Sequence, residues 1–271
     1  MKRENETNKS TQLFVFAKGE YTQKGIELAR HLDVQFLSEE PERTDRNVLL
    51  VCDDEGIALT DGSQLLRGDF SNMEKRIKHN NLSGELLVKA VKIKSAPMPL
   101  HVLDATAGMG EDSFLLAAAG FHVHLYEKDK VIAALLKDSL ERAVRLEQLS
   151  DIVCRMTFTE GDSILAMLQH RESPDVILLD PMFPQRQKSA LVKKKFQLLQ
   201  QLESPCSDEK DLLLAAVKAQ PKKIVIKRPA KGPYLAGIQP DYSLEGKSIR
   251  YDCIGINELS KNRLMQKLTS V

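Results

Sequence analysis

The amino-acid sequence predicts an α/β chain, a mostly parallel sheet with crossover helices that ends in an antiparallel hairpin, behind a small α+β unit. Three observations predict it. From residue 100 onward, short apolar runs alternate with helical periodicities, the pattern of parallel strands joined by helices. The last two apolar runs are instead linked by Glu245-Gly246-Lys247, a hairpin turn signal. Ahead of residue 69, four short apolar runs surround a single helical stretch, too little to belong to the same repeating pattern. A length of 271 residues suits one large domain with a small appendage, and the expected division is 1–68 and 69–271.

In the first unit, residues 13–17 are apolar, 22–31 have helical spacing, and 34–37, 48–52 and 57–59 read as strands. Asp53-Asp54-Glu55-Gly56 separates the last two as a hairpin turn. Ser83 and Glu85 open a short helix that Pro97 and Pro99 close off. The strands of the main domain fall at 101–103, 122–126, 152–158, 176–179, 223–226, 242–244 and 249–256. Ile132, Leu135, Leu136, Leu140 and Ala143 keep the spacing of one helix, and Val192, Phe196 and Leu199 that of another.

The run 101–103 leads into Asp104-Ala105-Thr106-Ala107-Gly108-Met109-Gly110-Glu111-Asp112, and a helix follows at once. Gly108 and Gly110 let the backbone turn tightly and let a ligand approach, while the next helix presents free N–H groups. The following strand delivers Glu127 seventeen residues after Gly110, near the spacing at which an acid reaches a ribose diol. Together these describe a nucleoside-cofactor site. The fingerprint of dinucleotide enzymes requires glycine or alanine where Ser113 stands, and Asp104, Glu111 and Asp112 repel a pyrophosphate. S-adenosylmethionine, with its sulfonium and ammonium cations, suits the acids, so charge selects the methyl donor over a nicotinamide cofactor. Asp162 and Ser163 after the next strand are placed to meet the adenine amine, or to cap a helix over 164–169, and the sequence leaves both open.

The buried-strand run 176–179 ends in Asp180-Pro181-Met182-Phe183-Pro184, whose prolines hold a rigid loop where open α/β sheets place their ligands. The loop resembles the acid-Pro-Pro-aromatic motif of amino-methyltransferases, with Met182 in the place of the second proline. In that reading Asp180 and the Pro181 carbonyl accept the two N–H groups of a base amine, and Phe183 stacks on the base. The structural alternative is a capped strand end with Asp180 bonding loop amides. Pro205-Cys206 lies in a polar stretch between two helices and reads as a linker, not as a nucleophile.

Lys+Arg 39 against Asp+Glu 38 gives a net charge of +1, which by itself advertises no polyanionic partner. The charges are unevenly placed, however. Residues 186–195 hold five basic side chains and no acid, and 218–231 hold six and no acid. Both windows flank strand ends on the side where the Asp180 loop opens, so Lys188, Lys193, Lys227 and Arg228 are expected to track an RNA backbone, although Lys193 to Lys195 alone also fit a solvated helix face. No apolar run exceeds six residues, so neither a signal peptide nor a membrane span is expected, and a cytoplasmic location follows. Cys52, Cys154, Cys206 and Cys253 lie far apart without paired spacing, which points to reduced thiols, and no metal site is expected.

Taken together, DATAGMGEDSFLLAAAG, LDPMFPQRQKSALVKK, VIKRP and KSIRYDCI resemble the RsmJ family, bacterial 16S rRNA guanine-N2 methyltransferases that use S-adenosylmethionine, over roughly residues 70–256. The resemblance implies a seven-stranded class I, Rossmann-like methyltransferase fold and a substrate of 16S rRNA, free or in the small ribosomal subunit. It maps cofactor contacts onto Glu111, Asp112, Glu127, Lys128, Asp162, Ser163 and Asp180. Where the family loop often has Arg-Asp, this chain has Glu111-Asp112. Adenine N6 or cytosine N4 methylation, a nicotinamide-dependent oxidoreductase and a non-catalytic RNA-binding module are the competing readings.

Overall fold

The computed structural model describes residues 12–41, 47–94, 96–169, 174–181 and 209–269. The described residues form two compact units that divide between Gly68 and Asp69. The first contains β1 (Gln12–Ala17), α1 (Thr22–Leu32), β2 (Gln35–Leu37), β3 (Asn47–Asp53), β4 (Gly56–Thr60) and β5 (Leu65–Leu66), in the sheet order β2-β1-β3-β4-β5. The hairpin expected at residues 53–56 forms, with Asp53 opposite Gly56, and Arg67 ties it down through ion pairs to Asp53 and Glu55.

In the second unit, α2 (His79–Leu82) and α3 (Leu86–Val91) precede β6 (His101–Asp104) and α4 (Glu111–Ala118). Next come β7 (His122–Glu127), α5 (Lys130–Ala143), α6 (Glu147–Val153), β8 (Met156–Glu160), α7 (Ser163–Leu168) and β9 (Val176–Leu179). The chain continues through α8 (Glu209–Lys218), β10 (Lys223–Pro229), β11 (Tyr242–Glu245), β12 (Ile249–Gly255) and α9 (Glu258–Thr269). The sheet order is β11-β12-β10-β9-β6-β7-β8. Strands β6 to β10 are mutually parallel, and β12 runs antiparallel to both β10 and β11, so it alone opposes the rest.

Helices cover both faces, which is why the strands read as continuous apolar runs. Along β9, Val176 and Leu178 join Phe114, Leu116 and Leu87 in one buried cluster, while Ile177 and Leu179 join Leu213, Val217 and Leu264 in the other. The strand expected at 152–158 is corrected to Met156–Glu160, because Ile152 and Val153 belong to α6. Leu149 and Val153 are both buried and lie four residues apart, so one helical face carries them to the core. Helix α9, which no sequence signal singled out, buries Leu264 and Leu268 at the same spacing. The helical pattern around Val192, Phe196 and Leu199 lies outside the described residues. No helix among the described residues is long and apolar enough to cross a membrane.

From β6 the crossovers move one way through β7 and β8, and from β9 the other way through β10. The order therefore reverses between β6 and β9, and the crevice beyond their carboxyl ends is where such sheets bind ligands.

Candidate active site

The two loops that leave β6 and β9 are bonded to each other at this crevice. The Ala105 N–H donates to the Leu178 carbonyl at 3.0 Å, and the Asp180 N–H donates to Thr106 Oγ1 at 2.6 Å. Asp104 lies beneath them and is only 2% exposed. Its carboxylate accepts from Ser113 Oγ at 2.6 Å and from the Thr106 N–H at 3.1 Å. Burial pushes the Asp104 carboxyl up to about 7, against the pull of those hydrogen bonds and with help from Asp112 and Asp180.

The two glycines of the loop do different work. Gly110 caps α4 with φ 76°, and a Cβ there would lie 2.6 Å from Leu136 Cδ1 and 3.3 Å from the Phe70 ring, so the turn requires glycine on two counts. Gly108 has φ 54°, and among the described residues nothing lies within 4 Å of where its Cβ would be, which leaves that stretch of backbone open to a ligand. Its N–H donates to Glu127 Oε2 at 2.9 Å, while Glu127 Oε1 accepts from the Asp129 N–H at 2.9 Å. Glu127 is buried, and desolvation raises its carboxyl above the usual range despite those two donors. Each of its oxygens retains a second acceptor direction.

Asp162 is exposed and caps α7, accepting from the Ile164 N–H at 2.8 Å. Ser163 is buried, and its hydroxyl donates to the Ala105 carbonyl at 2.7 Å, pinning α7 to the base of the glycine loop. The capping alternative is thus the geometry the structure contains, and Ser163 touches the loop backbone itself. Glu111 and Asp112 occupy the first turn of α4, where negative charge suits the helix dipole. Lys128 is exposed.

Beside Asp180 stands Lys227, with Nζ 2.5 Å from Asp112 Oδ2 and 2.9 Å from Asp180 Oδ2. Burial alone would lower the Lys227 ammonium, but Asp180 and Asp112 more than reverse this and hold it above its ordinary value. Asp180 keeps 39% of its side chain exposed at the mouth of the crevice. Its dense surroundings raise its carboxyl, Lys227 pulls it back and Asp112 adds to the rise. Tyr251 is paired with Lys227 across the β10–β12 ladder and is 1% exposed. Its hydroxyl is raised first by burial and then by Asp112.

The structure therefore brings Asp104, Gly108, Gly110, Asp112, Glu127, Ser163 and Asp180 to one crevice, with Pro181 buried beside Asp180. The basic rim expected of Lys227 and Arg228 is corrected. Lys227 points into the acid cluster, and Arg228, 1% exposed, donates through Nε to the Pro233 carbonyl at 2.9 Å and pairs with Glu209. Both faces of β10 are covered, so adjacent cations on that strand are drawn into internal ion pairs instead of reaching solvent. Phe183, Lys188 and Lys193 lie outside the described residues. Sequence patterns do not single out Thr106 or Tyr251, and they mark Ser113 only as a mismatch to the dinucleotide fingerprint. The Lys227–Tyr251 register alone reveals the tyrosine.

The donor set fits S-adenosylmethionine. Glu127 offers acceptors suited to a ribose diol, Gly108 offers exposed backbone, and the acids around Asp104 and Asp180 suit cations. His122 and His124 lie on β7, and His124 Nε2 is 2.8 Å from Thr159 Oγ1, a sheet-surface contact.

The model of a family described as putative SAM-dependent methyltransferase matches residues 33–255. The chain is 42% identical over 222 residues to ribosomal RNA small subunit methyltransferase J of Marinobacter nauticus, covering 79% of this chain and 80% of that one. It is 46% identical over 187 residues to the protein of the same name from Pseudomonas aeruginosa, covering 69% and 71%. A solved SAM-dependent methyltransferase of Neisseria gonorrhoeae is similar with a TM-score of 0.69 and 28% identity, over 89% of this chain and 95% of that one.

Proposed function

Because the chain belongs to the SAM-dependent methyltransferase family that includes ribosomal RNA small subunit methyltransferase J, we propose that it methylates the exocyclic N2 amine of a guanine in 16S rRNA. The observation that supports this reading is the bond from the Asp180 N–H to Thr106 Oγ1, because it ties a partly exposed carboxylate to the glycine loop, as an amine-orienting acid beside a methyl donor would require.

Bound in that site, S-adenosylmethionine supplies a methyl group already activated on a sulfonium. The task left to the protein is orientation. Glu127 holds the ribose hydroxyls, Gly108 gives close backbone approach, and Asp104 and Asp112 set a negative field for the cofactor's cations. At Asp180, Lys227 engages Oδ2, so Oδ1 is the atom that accepts a base N–H. The Pro181 carbonyl accepts the second N–H, which draws the amine toward the tetrahedral geometry that frees its lone pair. A carboxyl raised by its surroundings is also a competent acceptor for the proton the nitrogen sheds. Phe183 supplies the stacking face. The protein acts in the cytoplasm, residues 1–68 and 69–271 are its two domains, and the second performs the chemistry.

Labelled-methyl transfer to small ribosomal subunits from a strain lacking this protein, followed by digestion and nucleoside identification, tests the reading. N2-methylguanosine is expected, and N6-methyladenosine or N4-methylcytidine in its place would overturn the base assignment. Asp180→Ala is expected to keep the fold and lower the transfer rate about 10²-fold or more, the usual effect of removing one preorganised hydrogen-bonding group. Near-normal activity in that variant would remove Asp180 from the mechanism.

A further inference from the structure

Next to the crevice the second unit holds a recess of about 440 Å³, lined by Arg76, Asn80, Asn81, Glu85, Ile249 and Tyr251, with Gly84 and Leu86 completing it. Its volume falls in the range of small-molecule sites. Arg76 Nε donates to Glu85 Oε1 at 2.6 Å and Nη2 to Oε2 at 3.0 Å, a two-pronged pair that leaves Nη1 uncommitted among the described residues. The Asn81 amide is fixed by donating to the Lys75 carbonyl at 2.7 Å, while the Asn80 amide makes no hydrogen bond among the described residues.

The lining is chemically distinct from the neighbouring site. Arg76 and Glu85 cancel in charge, two amides supply both donors and acceptors, and Leu86 and Ile249 provide an apolar wall. A free phosphate requires net positive charge and a sulfonium requires net negative charge, and this recess offers neither. A neutral, planar group with donors and acceptors on its edge and an apolar face meets every feature of it, and that is the chemistry of a nucleobase. Tyr251 is shared, because it lines the recess while its hydroxyl senses Asp112, Lys227 and Asp180. Its strand β12 lies two places from β9, whose end carries Asp180, which is about 10 Å at the usual strand spacing.

We propose that this recess binds a second base of the RNA substrate, adjacent in the strand to the one held at Asp180, and so selects the sequence that is methylated. The proposal rests on the RNA-methylating function above and goes beyond it by naming a recognition subsite. Arg76 and Glu85 read one base edge, Asn80 and Asn81 complete it, and the base face lies on Leu86 and Ile249.

The test compares wild type, Asn80→Ala and the double variant Arg76→Gln, Glu85→Gln in methyl transfer to small ribosomal subunits, with S-adenosylmethionine affinity by calorimetry and melting temperature as controls. Losing the base edge read by Arg76 and Glu85 is expected to raise the KM for subunits at least tenfold in the double variant, and losing the single Asn80 amide to raise it about threefold or more. The kcat at saturating subunits, the cofactor Kd and the melting temperature of Asn80→Ala are expected to stay within about threefold, twofold and two degrees of wild type. An unchanged KM in both variants overturns the proposal. A fall in kcat or cofactor affinity with KM unchanged also overturns it, because the recess would then only support the fold of the site. Wild type that methylates no subunit RNA, yet binds S-adenosylmethionine, refutes the RNA-methylating function, and the subsite falls with it.

Discussion

Asp104 gives the sharpest physical prediction, because this carboxylate is 2% exposed and has no full positive partner of its own among the described residues. Its folded-state carboxyl is pushed up to about 7 from an ordinary 3.8, so the folded state binds a proton the unfolded chain has already released. For an acid raised in this way, stability is greatest at low pH and falls as pH rises from the unfolded toward the folded value. Each tenfold difference in proton affinity between the two states corresponds to about 1.4 kcal/mol, so between pH 5 and pH 8 this one group removes about 3 kcal/mol from the stability of the ligand-free protein. Asp104→Asn keeps the shape and removes the titration. Urea unfolding at pH 5 and pH 8 reads the effect: the wild type is expected to lose about 3 kcal/mol more than the variant over that interval. Glu127 and Asp180 are raised as well and contribute the same sign to both proteins, so the difference between them reports Asp104 together with its coupling to Asp112 and Asp180. Parallel losses in the two proteins would refute the argument. A stability cost of this size, retained directly under the glycine loop, is intelligible as preorganised negative charge for a cationic ligand.

Lys227→Met leaves Asp112 and Asp180 facing each other without their shared ammonium, which raises Asp180 further; the acid limb of the kcat profile is expected to move to higher pH, and an unmoved limb would exclude Lys227 from that role. Glu127→Ala is expected to weaken S-adenosylmethionine by 10-fold or more in calorimetry, since hydrogen bonds to a charged group contribute about 1.5–3 kcal/mol, whereas a change below threefold would dissociate it from the ribose. Arg250 is a structural hub: it grips Asp252 at 2.8 and 3.1 Å and donates through Nη1 to the carbonyls of Pro229, Ala230 and Gly232. Arg250→Met strands the buried Asp252 charge and is expected to cost about 3–5 kcal/mol in chemical denaturation, with Asp252→Asn in the same background recovering part of it.

What is legible in the sequence follows from how local its cause is. The loop from Asp104 to Asp112 and the acid Glu127 are readable because glycine, strand and helix signals sit within a few residues of one another. The hairpin at residues 53–56 and the reversed strand β12 are readable for the same reason, each marked by its own turn. The end of α6 reads as strand because Ile152 and Val153 run on toward Met156 and Phe158 in a short apolar group whose period is ambiguous, and only the structure shows the chain turning at Arg155, which donates to the Ala117 carbonyl at 2.8 Å. The fate of Lys227 and Arg228 is illegible because sequence gives a cation its sign but not its partners. Asp112 lies 115 positions from Lys227, and only the sheet order brings the two together. Tyr251 is hidden likewise, since its place beside Lys227 depends on antiparallel register.

The internal placement of Lys227 also changes how the electrostatics divide between cofactor and RNA. Asp104, Asp112, Glu127 and Asp180 crowd the crevice, and Lys227 is the ammonium bound among them. The ionised site is thus net negative, which favours a sulfonium and an ammonium and opposes RNA phosphates at close range, where screening is weakest. An RNA substrate must then present its bases to the crevice and keep its backbone outside it, as base flipping does. A neutral recess beside a negative crevice is the arrangement that admits bases and turns phosphates away. The cations that hold the backbone have to come from beyond the acid cluster, and the acid-free window at residues 186–195 is the part of the sequence with the composition to supply them. On this argument, neutralising Lys188 and Lys193 together should flatten the salt dependence of subunit binding, while Lys227→Met should leave that slope as it is.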